Sequence, residues 1–263
     1  MNLVRRNALP AFAFAAFAYL LLPIAVVVVF SFNDPLGRFN YTWEGFTLKH
    51  WGDPFGPPGL KEAIIASLQI AALASVVATA LGTLIALALV RYRFRGRGIT
   101  NLLIFMPMTT PEIVMGASLL TLFLNLGVTT GFWTIFIAHV MFDISFVVVT
   151  VKARLVGFDR HLEEAAMDLG ANPFSTFARV TLPLIAPGIA AGALLAFALS
   201  IDDFVITLFN AGSTITFPLY VWGAARVGVP PQVNVIGTLI FLVAAGLMLV
   251  NVLVQIRRPK GAS

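Results

Sequence analysis

Six runs of apolar residues, each long enough to cross a bilayer, limit what this chain can fold into more than any other feature. A transmembrane helix needs about 20 mostly apolar residues, and the runs at 8–32, 63–90, 99–126, 132–151, 184–209 and 233–256 meet that length. Inside lipid each segment must pair its own backbone polar groups, so the runs read as helices despite their many Val, Ile and Phe residues. Only 11% of the 263 residues are charged, where a soluble domain carries about 25%. The expected fold is therefore an all-α membrane protein with six transmembrane helices. Prolines 23, 107 and 111 fall inside runs and predict kinks. Arg5 and Arg6 precede the first run as they would in a signal peptide. The apolar sequence, however, continues to Phe30, beyond the roughly 7–15 residues of a secretory core. A retained anchor is expected.

Charge sets the orientation. With the N-terminus in the cytoplasm, only Arg38, Lys49, Lys61 and Arg226 lie outside, and the other 13 of the 17 basic residues lie inside. That bias is the positive-inside pattern, so both termini are expected in the cytoplasm of a bacterial inner membrane. The Arg91–Arg97 cluster reads as a topology anchor rather than a lipid or nucleic-acid site, and no soluble basic domain exists to bind nucleic acid. Cysteine is absent, which excludes disulfides and thiolate metal sites. No Gly-Lys dipeptide is present to hold ATP phosphates, and neither His-Glu-x-x-His nor Gly-x-Ser-x-Gly occurs. The chain reads as a non-enzyme with no cofactor of its own.

The connection from Lys152 to Pro183 falls on the cytoplasmic side and is structured by its sequence. Asp159 is a candidate N-cap for a helix over 160–169. Gly170 suits the position after a helix end, where a positive φ costs little without a Cβ. Asn172-Pro173 then reads as cap and first position of a second, short helix, carrying Phe174, Phe177 and Val180 at helical spacing. Leu182-Pro183 is expected to end it and turn the chain back into the membrane. Ala165 and Ala166 leave a small surface for a partner groove, Glu164 offers a charge, and Phe174 or Phe177 can fill an apolar pocket. A helix lying flat on the membrane is the plainer reading of an amphipathic stretch.

The order Glu164-Ala165-Ala166, three residues, Gly170, nine residues, Val180, one residue, Leu182-Pro183 resembles the EAA loop of ATP-binding-cassette importer permeases. The one departure is Val180, where Ile is commoner. Arg91–Gly96, Pro111–Met115, Leu199–Ile206 and Val227–Asn234 are similar to the spermidine/putrescine branch, in its second permease subunit type. The resemblance implies a type I importer permease fold and a loop, 159–183, that seats on an ATPase subunit. It also implies four kinds of partner: a second permease, two ATP-binding subunits carrying ATP and Mg, an extracytoplasmic solute-binding protein, and the bilayer. The expected division is an N-terminal helix and outer loop at 1–62, a permease core at 63–257 and a cytoplasmic tail at 258–263.

Four acids lie within the runs: Glu112, Asp143, Asp202 and Asp203. No lysine or arginine lies as deep. A charge at the bilayer centre costs at least about 2.5–3.5 kcal/mol on insertion scales, so these groups mark a candidate substrate path. Unbalanced carboxylates suit a cation, which supplies the missing charge. Phe142, Phe146, Phe204 and Trp222 are candidate cation–π partners, and His139, one turn before Asp143, is placed to pair with it. Trp43, Phe46, Trp51 and Phe55 in the outer loop suit either a binding protein or interfacial anchoring. The function expected is permeation of a small cationic solute, a polyamine by resemblance. An opine or aminophosphonate permease, an ion-coupled carrier and a non-transporting scaffold are the rivals.

Overall fold

The computed structural model describes residues 3–257; the expected tail at 258–263 lies outside them. All regular elements among the described residues are helices, and the one β pairing is an isolated bridge between Asn33 and Phe46. In order they are α1 (Leu3–Phe30), α2 (Lys49–Gly52), α3 (Leu60–Arg91), α4 (Arg97–Thr109), α5 (Glu112–Asn125), α6 (Phe132–Val156), α7 (His161–Asp168) and α8 (Pro173–Thr176). A π-helical turn over Phe177–Thr181 leads into α9 (Leu182–Asp202), followed by α10 (Val205–Asn210), α11 (Phe217–Val227) and α12 (Pro231–Arg257). Among the described residues, four helical stretches are long and apolar enough to cross a membrane, or five if the pair α4–α5 counts as one. A shorter apolar stretch, Pro231–Gly246, lies in the sixth run.

The clearest break is at Pro111. Residues preceding a proline are pushed out of the helical region, and Thr110 is extended at φ −76°, ψ 131°. α4 and α5 meet there at 109°. Pro10, Pro23 and Pro107 lie inside helices that continue past them. A second departure is at Leu182-Pro183, which does not end the short helix. α8, the π turn and α9 run together from Pro173 to Asp202 as one stretch of 30 residues. A π turn inserts one extra residue, and the wider coil relieves the clash between a proline ring and the carbonyl four residues back. Short α10 and α11 were not expected at all, since neither approaches the length of a span.

The chain divides into two compact units: residues up to 61 with those from 221 on, and Glu62–Tyr220. In the first, α1 packs on α12, and a staple holds the loop after α1. Asn33 is fully buried; it donates to Asn40 Oδ1 and to the Thr42 carbonyl at 2.7 Å each, and accepts from the Glu44 N–H at 2.8 Å. Loop aromatics pack on the helix end: Phe46 and Trp51 stack on Phe32, and Trp43 meets Phe30 edge-on.

In the second unit α6 packs closely along α9. Gly188 permits that approach, since a Cβ there would lie 2.8 Å from Arg154 Cβ. Ala78, Ala86, Val147, Val148, Val151 and Ile185 form the core that joins α3, α6 and α9. A second cluster, Met115, Leu119, Phe123, Phe142 and Ile206, joins α5, α6 and α10. Phe177, from the connection between α6 and α9, packs against the first of these cores.

Candidate functional site

In the loop between α6 and α9, α7 begins one residue later than expected, with Arg160 rather than Asp159 at its N-cap position. Asp159 Oδ1 accepts the His161 N–H at 3.0 Å and sits 2.7 Å from His161 Nδ1. That bond is the main cause holding His161 above the usual imidazole range and Asp159 below the usual carboxylate range. α7 ends at Asp168, and Gly170 takes φ +87°. With that sign the chain reverses, and the Ala171 N–H returns to the Ala166 carbonyl at 3.1 Å. Asn172 Oδ1 then accepts the Ser175 N–H at 2.8 Å, with Pro173 in the first turn of α8. Helix, bend and second helix follow one another between His161 and Thr176.

One side of this loop is open. Glu164, Ala165, Gly170, Leu182 and Pro183 are exposed, and Ala166 and Val180 are half-buried. Leu169 is 90% and Phe174 80% exposed, a large apolar area for so short a segment. Phe177 belongs to the other side, packed against the core of α3, α6 and α9. Of the two phenylalanines expected to meet a partner, Phe174 alone remains open. Sequence reading missed the polar ties beneath: Arg91 and Thr181 both bond Glu163, and Arg160 Nη2 donates to the Val90 carbonyl at 3.0 Å. Arg91 lies 72 residues from Glu163, and its place in a basic cluster explained it without any partner.

The acids are dispersed in environment. Glu112 is exposed in the first turn of α5, and Asp202 is exposed at the end of α9. Asp203, its side chain 5% exposed, sits in the break between α9 and α10. Its Oδ1 accepts the Thr207 N–H at 2.7 Å and the Thr207 hydroxyl at 2.9 Å, satisfying a donor that the start of α10 leaves free. His139 joins this group rather than Asp143. Its Nδ1 is 2.6 Å from Ser200 Oγ, and its Nε2 is 2.9 Å from Thr207 Oγ1 and 3.4 Å from Asp203 Oδ1. The break turns Asp203 toward α6 and so takes the histidine that helical spacing gave to Asp143.

Asp143 is left fully buried, and among the described residues neither of its oxygens has a hydrogen-bond partner. Phe142 and Phe146 pack edge to face beside it in sequence, 4.9 Å between centroids. Trp222 is not an open cation–π surface, because the Arg226 guanidinium already lies 4.8 Å from its ring centroid. No cluster of three metal-ligating side chains occurs among the described residues.

An exposed bent loop on a helical body, and a buried carboxyl at Asp143 with no hydrogen-bond partner among the described residues, suit a permease. Residues 78–258 match the family of binding-protein-dependent transport system inner membrane components. The chain belongs to that family. It is 40% identical to the spermidine/putrescine transport system permease protein PotC of Escherichia coli (strain K12), over 95% of this chain and 94% of that one. It is also 40% identical to the putrescine transport system permease protein PotI of the same organism, covering 85% of this chain and 82% of the other. Among solved structures it resembles a bacterial ABC transporter involved in the import of the acidic polysaccharide alginate. That match has a TM-score of 0.68 at 18% identity, covering 98% of this chain and 99% of the other. The methionine transporter MetNI in inward-facing conformations gives a TM-score of 0.55 at 14% identity, over 74% and 95% of the two chains. Those two likenesses are of fold.

Proposed function

We propose that this chain is a membrane-spanning permease subunit of an ATP-driven importer and lines the path of a small organic polycation, a polyamine of the spermidine/putrescine class. The observation that carries the substrate class is the buried carboxyl of Asp143, unpartnered within the chain, near the Asp203–His139 network. Leaving a buried acceptor unsatisfied costs about 1–3 kcal/mol, and more for a charged one. An ammonium group arriving with the substrate offsets that cost. Glu112 and Asp202, both exposed, extend the acidic path. Fold alone does not choose the substrate, since the same fold serves a transporter of an acidic polysaccharide. The acids and the polyamine permease relatives choose it. Entry of a cation also gains roughly 2.3 kcal/mol per charge for each 100 mV of inside-negative potential.

In the assembly we infer, this subunit pairs with a second permease, two ATP-binding subunits and an extracytoplasmic binding protein. Six spans of the type I arrangement place both termini in the cytoplasm, with α4–α5 counted as one span and α12 as the last. The bent loop, through Glu164, Ala165, Ala166, Gly170, Val180, Leu182 and Pro183, seats on an ATP-binding subunit, and ATP and Mg stay there. Closure of the ATPase pair moves α7 and, with it, the helices lining the path.

The test is uptake of labelled spermidine or putrescine by the complete complex in proteoliposomes, comparing wild type with Asp143→Asn. Asparagine keeps the size of the side chain, removes the charge and turns one acceptor oxygen into an N–H donor. Uptake should fall about tenfold or more, the size of one lost hydrogen bond to a charged group, with the ATPase subunit still bound. Equal loss of uptake and of subunit binding contradicts the assignment. An uncharged solute carried equally well would favour another branch of the family.

A further inference from the structure

α7 turns two adjacent glutamates to different sides. Consecutive helical residues are about 100° apart, so while Glu164 is exposed, the Glu163 side chain is only 16% exposed. Glu163 Oε1 accepts from Arg91 Nη2 and from the Thr181 hydroxyl, and Arg91 Nη2 also lies 3.2 Å from Thr181 Oγ1. Each corner of the triangle belongs to a different element: Arg91 ends α3, Glu163 lies in the first turn of α7, and Thr181 closes the π turn that opens into α9. Thr181 is fully buried.

We propose that Arg91, Glu163 and Thr181 form the joint that passes movement of α7 into α3 and α9. This rests on the reading of the loop as the seat of an ATP-binding subunit. None of the residues of α7 is buried, so apolar packing fastens this helix to the body only at its edge, through half-buried Ala166 and through Leu162 beside Leu184. Its specific ties are polar: the triangle, and Arg160 on the Val90 carbonyl, one of the acceptors that the end of α3 leaves without an intrahelical partner. Arg91 serves two acceptors with one nitrogen, so α7 cannot shift without drawing α3 and the π turn along or parting from them. The π turn suits such a place, since single π turns in α-helices recur at functional sites. Arg91, Glu163 and Thr181 are positioning residues in this account. They touch neither solute nor nucleotide.

The experiment uses the complete importer in proteoliposomes and reads three quantities: ATP-binding subunit retained, ATP hydrolysed, and polyamine carried. Glu163→Gln and Arg91→Gln should keep the subunit and hydrolysis yet lower the solute carried per ATP about tenfold, as expected when a charge-assisted hydrogen bond is lost. The reversed pair, Arg91→Glu with Glu163→Arg, should restore most of that ratio. An unchanged ratio in both single variants overturns the joint. So does a reversed pair no better than the singles, or single variants that lose the ATPase subunit without rescue, which would mark a purely structural bond. Failure of the docking reading is distinct: Glu164→Cys in this cysteine-free chain would then form no cross-link to the ATP-binding subunit in an otherwise wild-type complex.

Discussion

Asp159 and His161 form an exposed contact at the start of α7. The hydrogen bond from Asp159 is the main cause raising His161 above its usual 6.5, with Glu164 adding to it, and the same bond lowers Asp159 below its usual 3.8. For the histidine, the stabilising contribution is complete below 6.5 and is lost as pH rises through its raised value. For the aspartate it is complete above 3.8 and is lost as pH falls through its lowered value. The pair therefore holds the start of α7 most firmly between 3.8 and 6.5. Amide hydrogen exchange in the first turn of α7 should quicken, beyond the intrinsic effect of pH, as pH is raised past the His161 value. His161→Phe should remove that step. A step of equal size in the variant would assign it to another group.

At the scale of elements, the bend at Gly170 joins two short helices whose outer faces must act together. A Cβ there would meet nothing within 4 Å, so space is no obstacle, but φ is +87°. A β-branched residue in that region is strained by roughly 1–2 kcal/mol. Gly170→Val should leave the long apolar helices in place and reduce uptake per ATP hydrolysed, read in the same reconstituted complex. Unchanged coupling would remove the bend from the mechanism. Gly170, Asn172 and Pro173 were legible in the sequence because each has one strong local reason for its place. Leu182-Pro183 was misread because the local rule, that proline ends a helix, is overridden by the π turn before it. The break at Pro111 was foreseen as a kink, though not its size of 109°. The partner of His139 was not legible: helical spacing offered Asp143, while the α9–α10 break delivers Asp203, Ser200 and Thr207 from more than 60 residues away.

For the whole molecule, composition and apolar length gave the class correctly, because lipid leaves helices as the economical solution for so uncharged a chain. They did not show the angle between α4 and α5, since a run of apolar residues reads alike whether it is one helix or two at an angle. The central claim is that the open face of the loop, Glu164 to Phe174, meets an ATP-binding subunit inside the cell. The absence of cysteine makes the decisive measurement clean. Phe174→Cys, introduced into the assembled importer in sealed, oriented vesicles, should react with a membrane-impermeant thiol reagent from the cytoplasmic side alone. Cross-linking from it should capture the ATP-binding subunit. Reaction from the outer side, with no cross-link to that subunit, would contradict the account.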